Sequence, residues 1–307
     1  MNALTIVIPT RNRPDLLQRT LSALDTRGEC PDSTEIIVVD DGSNELTQRE
    51  ESRIIKQLTI PATLIMQPPK GPAAARNRGI RAANNSIVLF LGDDILPGPN
   101  LARIHLEHHT KHPEQSIAVL GRVTWDPGIK VTPLMAWLED GGPQFRFNDI
   151  RDPMDVPGSF FWTANVSAKR DFLLSVGGFN ERFPDAAFED VDLGVRLERE
   201  GLKLHYRSDA LGYHYHPMDL KGSLGRMSRL ARGALIAAET IPDMIYLDND
   251  TVFKRLRRRL VLHPLTRGCL YACNPILGYI PRVRILYFRL VHDLYYKAAL
   301  RRLLKDR

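Results

Sequence analysis

Short apolar runs alternate with amphipathic stretches over the first hundred residues: LTIVI (4–8), PDLLQRTLSAL (14–24), EIIVV (35–39), ATLIM (62–66), GPAAARNRGIRAA (71–83) and SIVLFL (86–91), with a polar helical segment between EIIVV and ATLIM. Runs that stay apolar at every position need cover on both faces, so strands of this kind, separated by helices, predict a βαβαβαβ order and a parallel sheet. Leu17, Leu21 and Leu24 recur at helical spacing in the second segment, and Pro14 stands where a first helical turn tolerates it. Ligands of open sheets gather outside the carboxyl ends of the strands. Three polar segments fall there: Pro9-Thr10-Arg11-Asn12, Asp40-Asp41-Gly42-Ser43 and Gly92-Asp93-Asp94.

From residue 99 the pattern is mixed. A helix is expected over 100–111, strands over 116–125 (SIAVLGRVTW) and 160–168 (FFWTANVSA), helices in RDFLLSVGG and FEDVDLGVRLEREG, and short strands LKLHY and ALGYHY, all extending the same sheet. Helical patterns dominate after Asp219. The expected organisation is therefore an α/β domain over 1–218, in two parts (1–98 and 99–218), followed by a helical basic extension over 219–307.

Charge separates these parts. Residues 220–307 carry 18 Lys+Arg against 6 Asp+Glu, a surplus of +12, which leaves 24 basic and 30 acidic residues, or −6, before them. Such a split suits an acidic catalytic unit with a basic appendage for an anionic surface. A helix over 282–304 would put Arg282, Arg289, Asp293 and Lys297 on one stripe and leave a broad apolar face, to be packed, paired in a homodimer or laid on a membrane. Lys/Arg with interleaved aromatics also matches nucleic-acid patches, but no such motif accompanies it, so no nucleic-acid partner is expected. Three cysteines and no CxxC pair fit a reducing, cytoplasmic setting, with peripheral attachment to the inner face of the membrane as the alternative to a purely soluble chain. Met1-Asn2-Ala3 lacks a basic n-region and Pro9 ends the first apolar run, so no signal peptide is expected. Residues 260–280 are too interrupted by His263, Pro264, Arg267, Asn274 and Pro275 for a spanning helix.

The adjacent pairs Asp40-Asp41 and Asp93-Asp94 cannot both be ionised and close without a compensating cation, which points to a divalent metal or a sugar-bearing ligand. Taken singly, DDGS is also an ordinary turn sequence. The ordered set TIVIPTRNRPDLLQRTLSAL (5–24), EIIVVDDGS (35–43), GPAAARNRGI (71–80), IVLFLGDDILP (87–97), GGFNERF (177–183), FEDVDLGVRLEREG (188–201) and ALGYHYHP (210–217) resembles the inverting glycosyltransferases of family 2, which have the GT-A fold, a Rossmann-like, mostly parallel central sheet flanked by helices.

That resemblance implies transfer of a sugar from a UDP-, GDP- or dTDP-linked donor to a hydroxyl of a glycan or lipid-linked acceptor, with inversion and metal assistance, as in cell-envelope polysaccharide synthesis. It makes 1–98 a nucleotide-binding half and 99–218 an acceptor half of one glycosyltransferase domain, and assigns Pro9, Thr10, Arg11, Asp40 and Asp41 to base and ribose, Arg76 to the nucleotide-sugar, and Asp93 to ribose or donor sugar. Asp94 takes the last place of the family's Asp-x-Asp, as ligand of Mg2+ or Mn2+; Gly92 replaces the first Asp. Asp190 is implied as general base, with Glu189, Trp162 and Asn165 lining the acceptor cleft. As pure structure, Glu189 and Asp190 would compensate a helix dipole, and Asp192 reads as a solvated position. His214 and His216 share a strand face, and one of them, His214 in the first place and His216 otherwise, would complete the metal shell. His105, His108 and His109 do not match HExxH, because Glu107 is misplaced. A nucleotidyltransferase, or a non-catalytic nucleotide-sugar-binding protein, remains the alternative on the same fold.

Overall fold

The computed structural model describes residues 3–26, 30–31, 33–140, 142, 144–241, 264–281 and 283–305. The basic cluster 254–259 and Arg282 lie outside the described residues. Eight strands form one sheet: β1 (Leu4–Thr10), β2 (Glu35–Asp41), β3 (Ala62–Gln67), β4 (Ile87–Leu91), β5 (Ile95–Pro97), β6 (Ile117–Trp125), β7 (Asn165–Lys169) and β8 (Lys203–His214), in the order β3-β2-β1-β4-β7-β6-β8-β5. The first four are parallel. Beyond β4 the sheet turns mixed: β7 runs antiparallel to β4 and β6, β8 parallel to β6, and β5 antiparallel to β8. The chain is thus an α/β fold of the expected kind, with the second half continuing the first half's sheet.

Central strands are sealed on both faces. Every residue of β4 and all but Pro9 of β1 are buried. Helix α1 (Pro14–Thr26) supplies Leu17, Leu21 and Leu24 to the core, while α3 (Pro72–Ala82) brings alanines and Gly79 against β1, where a Cβ at Gly79 would strike Val7. Helices α2 (Glu45–Ile55), α4 (Leu101–Lys111), α6 (Arg170–Ser175) and α7 (Glu189–Arg199) complete this unit. LKLHY and ALGYHY form one strand rather than two. The register of β8 against β6 jumps between Gly121 and Arg122, and the Asn165 amide donates to the carbonyls of Arg122 (3.1 Å) and Ala210 (2.8 Å) at that irregularity.

By contacts the chain divides into two compact units, 1–129 with 149–216, and 130–148 with 217–307. The second unit thus takes in residues 130–148 besides the helical extension. It contains α5 (Pro133–Glu139), α8 (Leu220–Thr240), α9 (Pro264–Ala272), α10 (Asn274–Leu277) and α11 (Arg284–Lys305). Ala231, Leu235 and Leu300 seal α8 against α11, and Trp137 of α5 packs on Phe288 and His292. The expected apolar face of the last helix is therefore split: Tyr287, Val291, Leu294 and Leu300 are buried, whereas Ile285, Leu286, Leu290 and Leu304 remain exposed. Among the described residues, no helix is long and apolar enough to cross a membrane.

The placement of α7 depends on a glycine pair. A Cβ at Gly194 would run into the carbonyl oxygen of Gly158, in the single-turn helix Gly158–Phe160. Backbone cannot yield as a side-chain tip can, so Gly194→Ala should destabilise the fold by about 1–3 kcal/mol despite the better helix propensity of alanine, worth about 1 kcal/mol. Urea denaturation checks this; a variant as stable as its parent would contradict the packing described.

Candidate functional site

The carboxyl ends of β1, β2 and β4 converge. The turn after β1 is locked to the turn after β2 through Asn12, whose left-handed backbone (φ 53°) lets its N–H donate to Ser43 Oγ (2.7 Å) while its side-chain oxygen accepts from the Asn44 N–H (3.0 Å). Asp40 is fully buried and holds its own turn: Oδ1 accepts from the Ser43 N–H and hydroxyl, Oδ2 from Gln48. Asp41 clamps the next loop, accepting from Gln67 and from the N–H groups of Lys70 and Gly71. Both carboxylates thus hold the loops that follow β2 and β3. Pro9 is half-buried and Arg11 exposed beside them.

Asp93 and Asp94 follow β4. Asp93, 1% exposed, accepts from the Thr10 hydroxyl (2.8 Å) and from Arg13 Nη2 (2.6 Å), and its backbone oxygen accepts from Thr20 (2.9 Å). Arg13 also donates through Nη1 to Asp94 Oδ2 (3.0 Å). That same oxygen lies 3.4 Å from His214 Nε2 and 3.8 Å from His216 Nδ1. The β5–β8 pairing explains this meeting of residues 120 apart, since Ile95 sits opposite His214 and the Tyr215 N–H bonds the Asp94 carbonyl. Trp125 stacks on His214, which stacks on His216.

Electrostatics drive the two aspartates apart. Burial and the charge of Asp94 raise the Asp93 carboxyl, outweighing Arg13 and Thr10. Burial also opposes ionisation of Asp94, yet the His214 hydrogen bond and the charges of His214, Arg13 and His216 hold it below the usual range. Asp94, His214 and His216 bring one oxygen and two nitrogen ligand atoms within 4.8 Å of one another, and a Cβ at Gly92 would stand 2.9 Å from Asp94 Oδ1. A mixed oxygen and imidazole set beside a glycine that leaves it room fits a divalent cation, with Arg13 competing for the same Asp94 oxygen.

A second cluster opens α7. Phe188 precedes it with φ 72°, a strained conformation for a bulky residue that sets the direction of the first turn. Glu189, 2% exposed, pairs with the buried Arg76 at 2.9 Å; Glu189 Oε2 and Arg76 Nε have no hydrogen-bond partner. Burial, then the charge of Asp190, raises the Glu189 carboxyl to about 7, against the pull of Arg76. Asp190 is half-buried and accepts from the Val191 N–H (2.8 Å), in the turn where the helix dipole favours its anion.

Two sequence expectations change. Asp192 is fully buried, not solvated: it pairs with Arg196 (2.9 Å), whose other nitrogens hold the carbonyls of Val176 and Gly178. Asn165 faces the sheet interior, with both amide hydrogens on Arg122 and Ala210 and its oxygen 3.0 Å from His105 Nε2. Arg13 adds, from within the chain, a cation on Asp93 and Asp94 that the sequence did not point to. Trp162 is half-buried against Phe160. His105 is held by Ser167 and Asn165, His109 meets Ser167 through Nε2 alone while its Nδ1 stays unpartnered, and burial keeps both imidazoles below their ordinary range.

Arg13 and Glu51 were not singled out by sequence. Glu51 lies on the Thr47–Glu51–Ile54 stripe of α2, all buried, and a carboxylate on a core-facing stripe was the available signal. For Arg13 it was only position, three residues beyond Thr10.

The profile of the family described as Glycosyl transferase family 2 matches residues 5–168, more than half of the chain, and that described as Glycosyl transferase family group 2 matches residues 154–300. The chain belongs to glycosyl transferase family 2. Validoxylamine A glucosyltransferase of Streptomyces hygroscopicus subsp. limoneus is 32% identical over 232 residues, 68% of this chain and 51% of the relative. Chondroitin synthase of Escherichia coli is 28% identical over 246 residues, 71% of this chain and 35% of the relative. The chain therefore spans about half the length of the first of these, and less of the second. Among solved structures, the mannosyltransferase PcManGT from Pyrobaculum calidifontis, in complex with GDP-Man and Mn2+, superposes with a TM-score of 0.62 at 19% identity over 99% of this chain and 87% of that one. S. aureus TarS 1–349 in complex with UDP gives 0.54 at 15% identity, over 99% and 92%. These likenesses establish the GT-A fold.

Glu51 carries a pH prediction. Burial, then the charges of Asp40 and Asp93, raise its carboxyl to about 7, above an unfolded value of about 4.3. Between those values the native state holds the extra proton, so stability falls as pH rises through the window. Glu51→Gln removes that loss and should stabilise the chain by about 1–2 kcal/mol at pH 8 while changing little at pH 5. Denaturant melts at both values test it; equal effects at the two would contradict the assignment.

Proposed function

We propose that the chain is an inverting glycosyltransferase moving a sugar from a nucleotide-diphosphate donor to a hydroxyl of a glycan or lipid-linked acceptor. The observation that carries this reading is the site at the sheet's carboxyl edge: an anionic, cation-paired group of Asp93, Asp94, Arg13, His214 and His216, accompanied by an acidic helix start at Glu189-Asp190. Relatives with glycosyl-transfer names and a neighbour holding GDP-Man and Mn2+ support it.

In this reading Pro9, Thr10 and Arg11 meet the nucleotide, on a wall shaped by Asp40 and Asp41, and Asp93 faces the ribose or donor sugar. Asp94 and His214, with His216, would hold Mg2+ or Mn2+, which when bound supplies positive charge to the departing diphosphate. Asp190 accepts the proton of the acceptor hydroxyl as its oxygen bonds to the anomeric carbon; the bond to the diphosphate breaks on the opposite side and its electrons leave with the phosphate. Glu189, fixed by Arg76, orients the acceptor beside the base, and Trp162 offers a ring face to it.

Asp190→Asn keeps the shape but cannot take the proton, so turnover should fall about 10²–10⁴-fold with donor affinity nearly intact. Asp94→Ala should abolish transfer and weaken nucleotide binding only when Mn2+ is present. Turnover of Asp190→Asn within about threefold of the parent would reject the base. Donor binding without turnover in the parent would favour the non-catalytic alternative, and release of diphosphate from a nucleoside triphosphate with a sugar phosphate would favour a nucleotidyltransferase.

A membrane reading of the second unit rests on its own observation. Tyr271, Ile276, Tyr279, Ile280, Ile285 and Leu286 are exposed in a part of the chain with a +12 surplus, a combination suited to peripheral attachment at an anionic bilayer, where each basic residue is worth about 1 kcal/mol. Vesicle co-sedimentation should show binding to anionic but not neutral lipid, declining with salt. A chain that stays in the supernatant with anionic vesicles at low salt, and elutes as a dimer, assigns the same face to self-association.

A further inference from the structure

Away from the strand ends, the last turn of α4 and the start of β8 share a cluster that glycosyl transfer does not use. His108 and His112 are four residues apart, so both project from one side of the helix end, and their rings stack with centroids 4.5 Å apart. His205 stands edge-on to both, at 5.1 Å from His108 and 5.3 Å from His112. Its Nδ1 lies 2.9 Å from His108 Nε2. One nitrogen from each imidazole falls within 4.8 Å of the other two. His108 and His205 are buried and His112 half-buried.

A packed histidine trio joined by one hydrogen bond would account for part of this. Two details go further. Imidazole nitrogens about 2.0–2.1 Å from a tetrahedral zinc ion are about 3.3 Å apart, so the His108–His205 pair needs to open by only about 0.4 Å. Glu114, Asp152 and Asp155 also act on His205 from the surrounding loops, offsetting the positive charge of Lys111 and Arg207 near His108. Arg207 Nη1 contacts His108 Nδ1 at 3.2 Å, but its Nε and Nη2 are held by Asp209, at 2.9 and 2.6 Å.

We propose that His108, His112 and His205 form a transition-metal site, separate from the Asp94 cluster, that takes Zn2+ with water as fourth ligand and fastens the end of α4 to β8. Neutral imidazoles suit this class of ion rather than Mg2+ or Ca2+. On binding, the His108 proton moves from Nε2 to Nδ1, the ion takes the vacated lone pair, and Arg207 gives up its Nη1 contact while staying on Asp209. No other group gains or loses a proton.

The test uses the full chain, stripped with chelator, in an Asp94→Ala background that disables the other cluster. Calorimetric titration with Zn2+ should show one equivalent, with a rise in Tm. Co2+ should give the visible spectrum of a four-coordinate nitrogen site without the near-ultraviolet thiolate band that Cys269 and Cys273 would produce. His112→Gln and His205→Gln should each weaken Zn2+ binding at least about tenfold, and Arg207→Gln should not weaken it. His112 is half-buried, so its variant is the one expected to fold; a metal-free Tm within about two degrees of the parent's certifies it. The proposal is overturned if the Asp94→Ala chain binds no Zn2+, if the Co2+ spectrum is that of thiolate ligation, or if folded His112→Gln binds Zn2+ as tightly as its parent.

Discussion

Two consecutive carboxylates at the inner end of a central strand impose the condition that the site has to meet. Asp93 is almost wholly buried and Asp94 half-buried, and removing like charges from water costs several kcal/mol per ion unless cations and hydrogen bonds accompany them. The chain supplies these from three directions: Thr10 from the end of β1, Arg13 from the head of α1, and His214 and His216 from the far end of the sheet. The β1–α1 turn and the β5–β8 pairing are both conditions for Asp93 and Asp94 to coexist. One consequence is asymmetry: burial and its neighbour push the Asp93 carboxyl up, whereas His214, Arg13 and His216 hold that of Asp94 below the usual range.

The start of α7 repeats this economy at higher cost. Glu189 and Arg76 are both buried with one hydrogen bond between them and one atom unpartnered on each, and Phe188 enters the helix through a left-handed conformation. Unsatisfied buried groups and backbone strain each oppose folding, by about 1–3 kcal/mol apiece. The Asp192–Arg196 pair and the Gly194–Gly158 contact hold the turn in place from behind. A rigid anchor under a buried carboxylate with one unpartnered oxygen is the arrangement expected where polar groups are kept for a ligand rather than for stability.

Legibility followed range. The alternation of apolar strand and helix gave away the parallel half, because a strand buried on both faces must be apolar throughout, and Leu17, Leu21 and Leu24 could face nothing but the sheet. Acidic residues at strand ends were visible for the same reason. What sequence could not convey was which polar group answers which. Arg13 lies 80 residues from its partners, and Asn165 looks like a cleft residue until the irregularity in β8 shows where its amide hydrogens go. Asp192 was misread because a helix start rich in acid looks solvated, whereas its spacing to Arg196 and the carbonyls of Val176 and Gly178 bury it. His112 and His205 carried no signal, since α4 and β8 are neighbours only in the folded sheet.

The glycine in place of the family's first Asp-x-Asp residue follows from the same charge balance. An aspartate at residue 92 would put a Cβ 2.9 Å from Asp94 Oδ1 and add a third carboxylate to a pair that Arg13 bonds through both of its terminal nitrogens. His214 and His216 offer nitrogen atoms that can ligate without adding negative charge. With Gly92, Asp94 keeps an open side and the pair carries no third carboxylate. In the proposed reading, part of the negative charge that holds a divalent ion then arrives with the diphosphate, ligation leans towards nitrogen, and retention of the cation depends on the presence of donor.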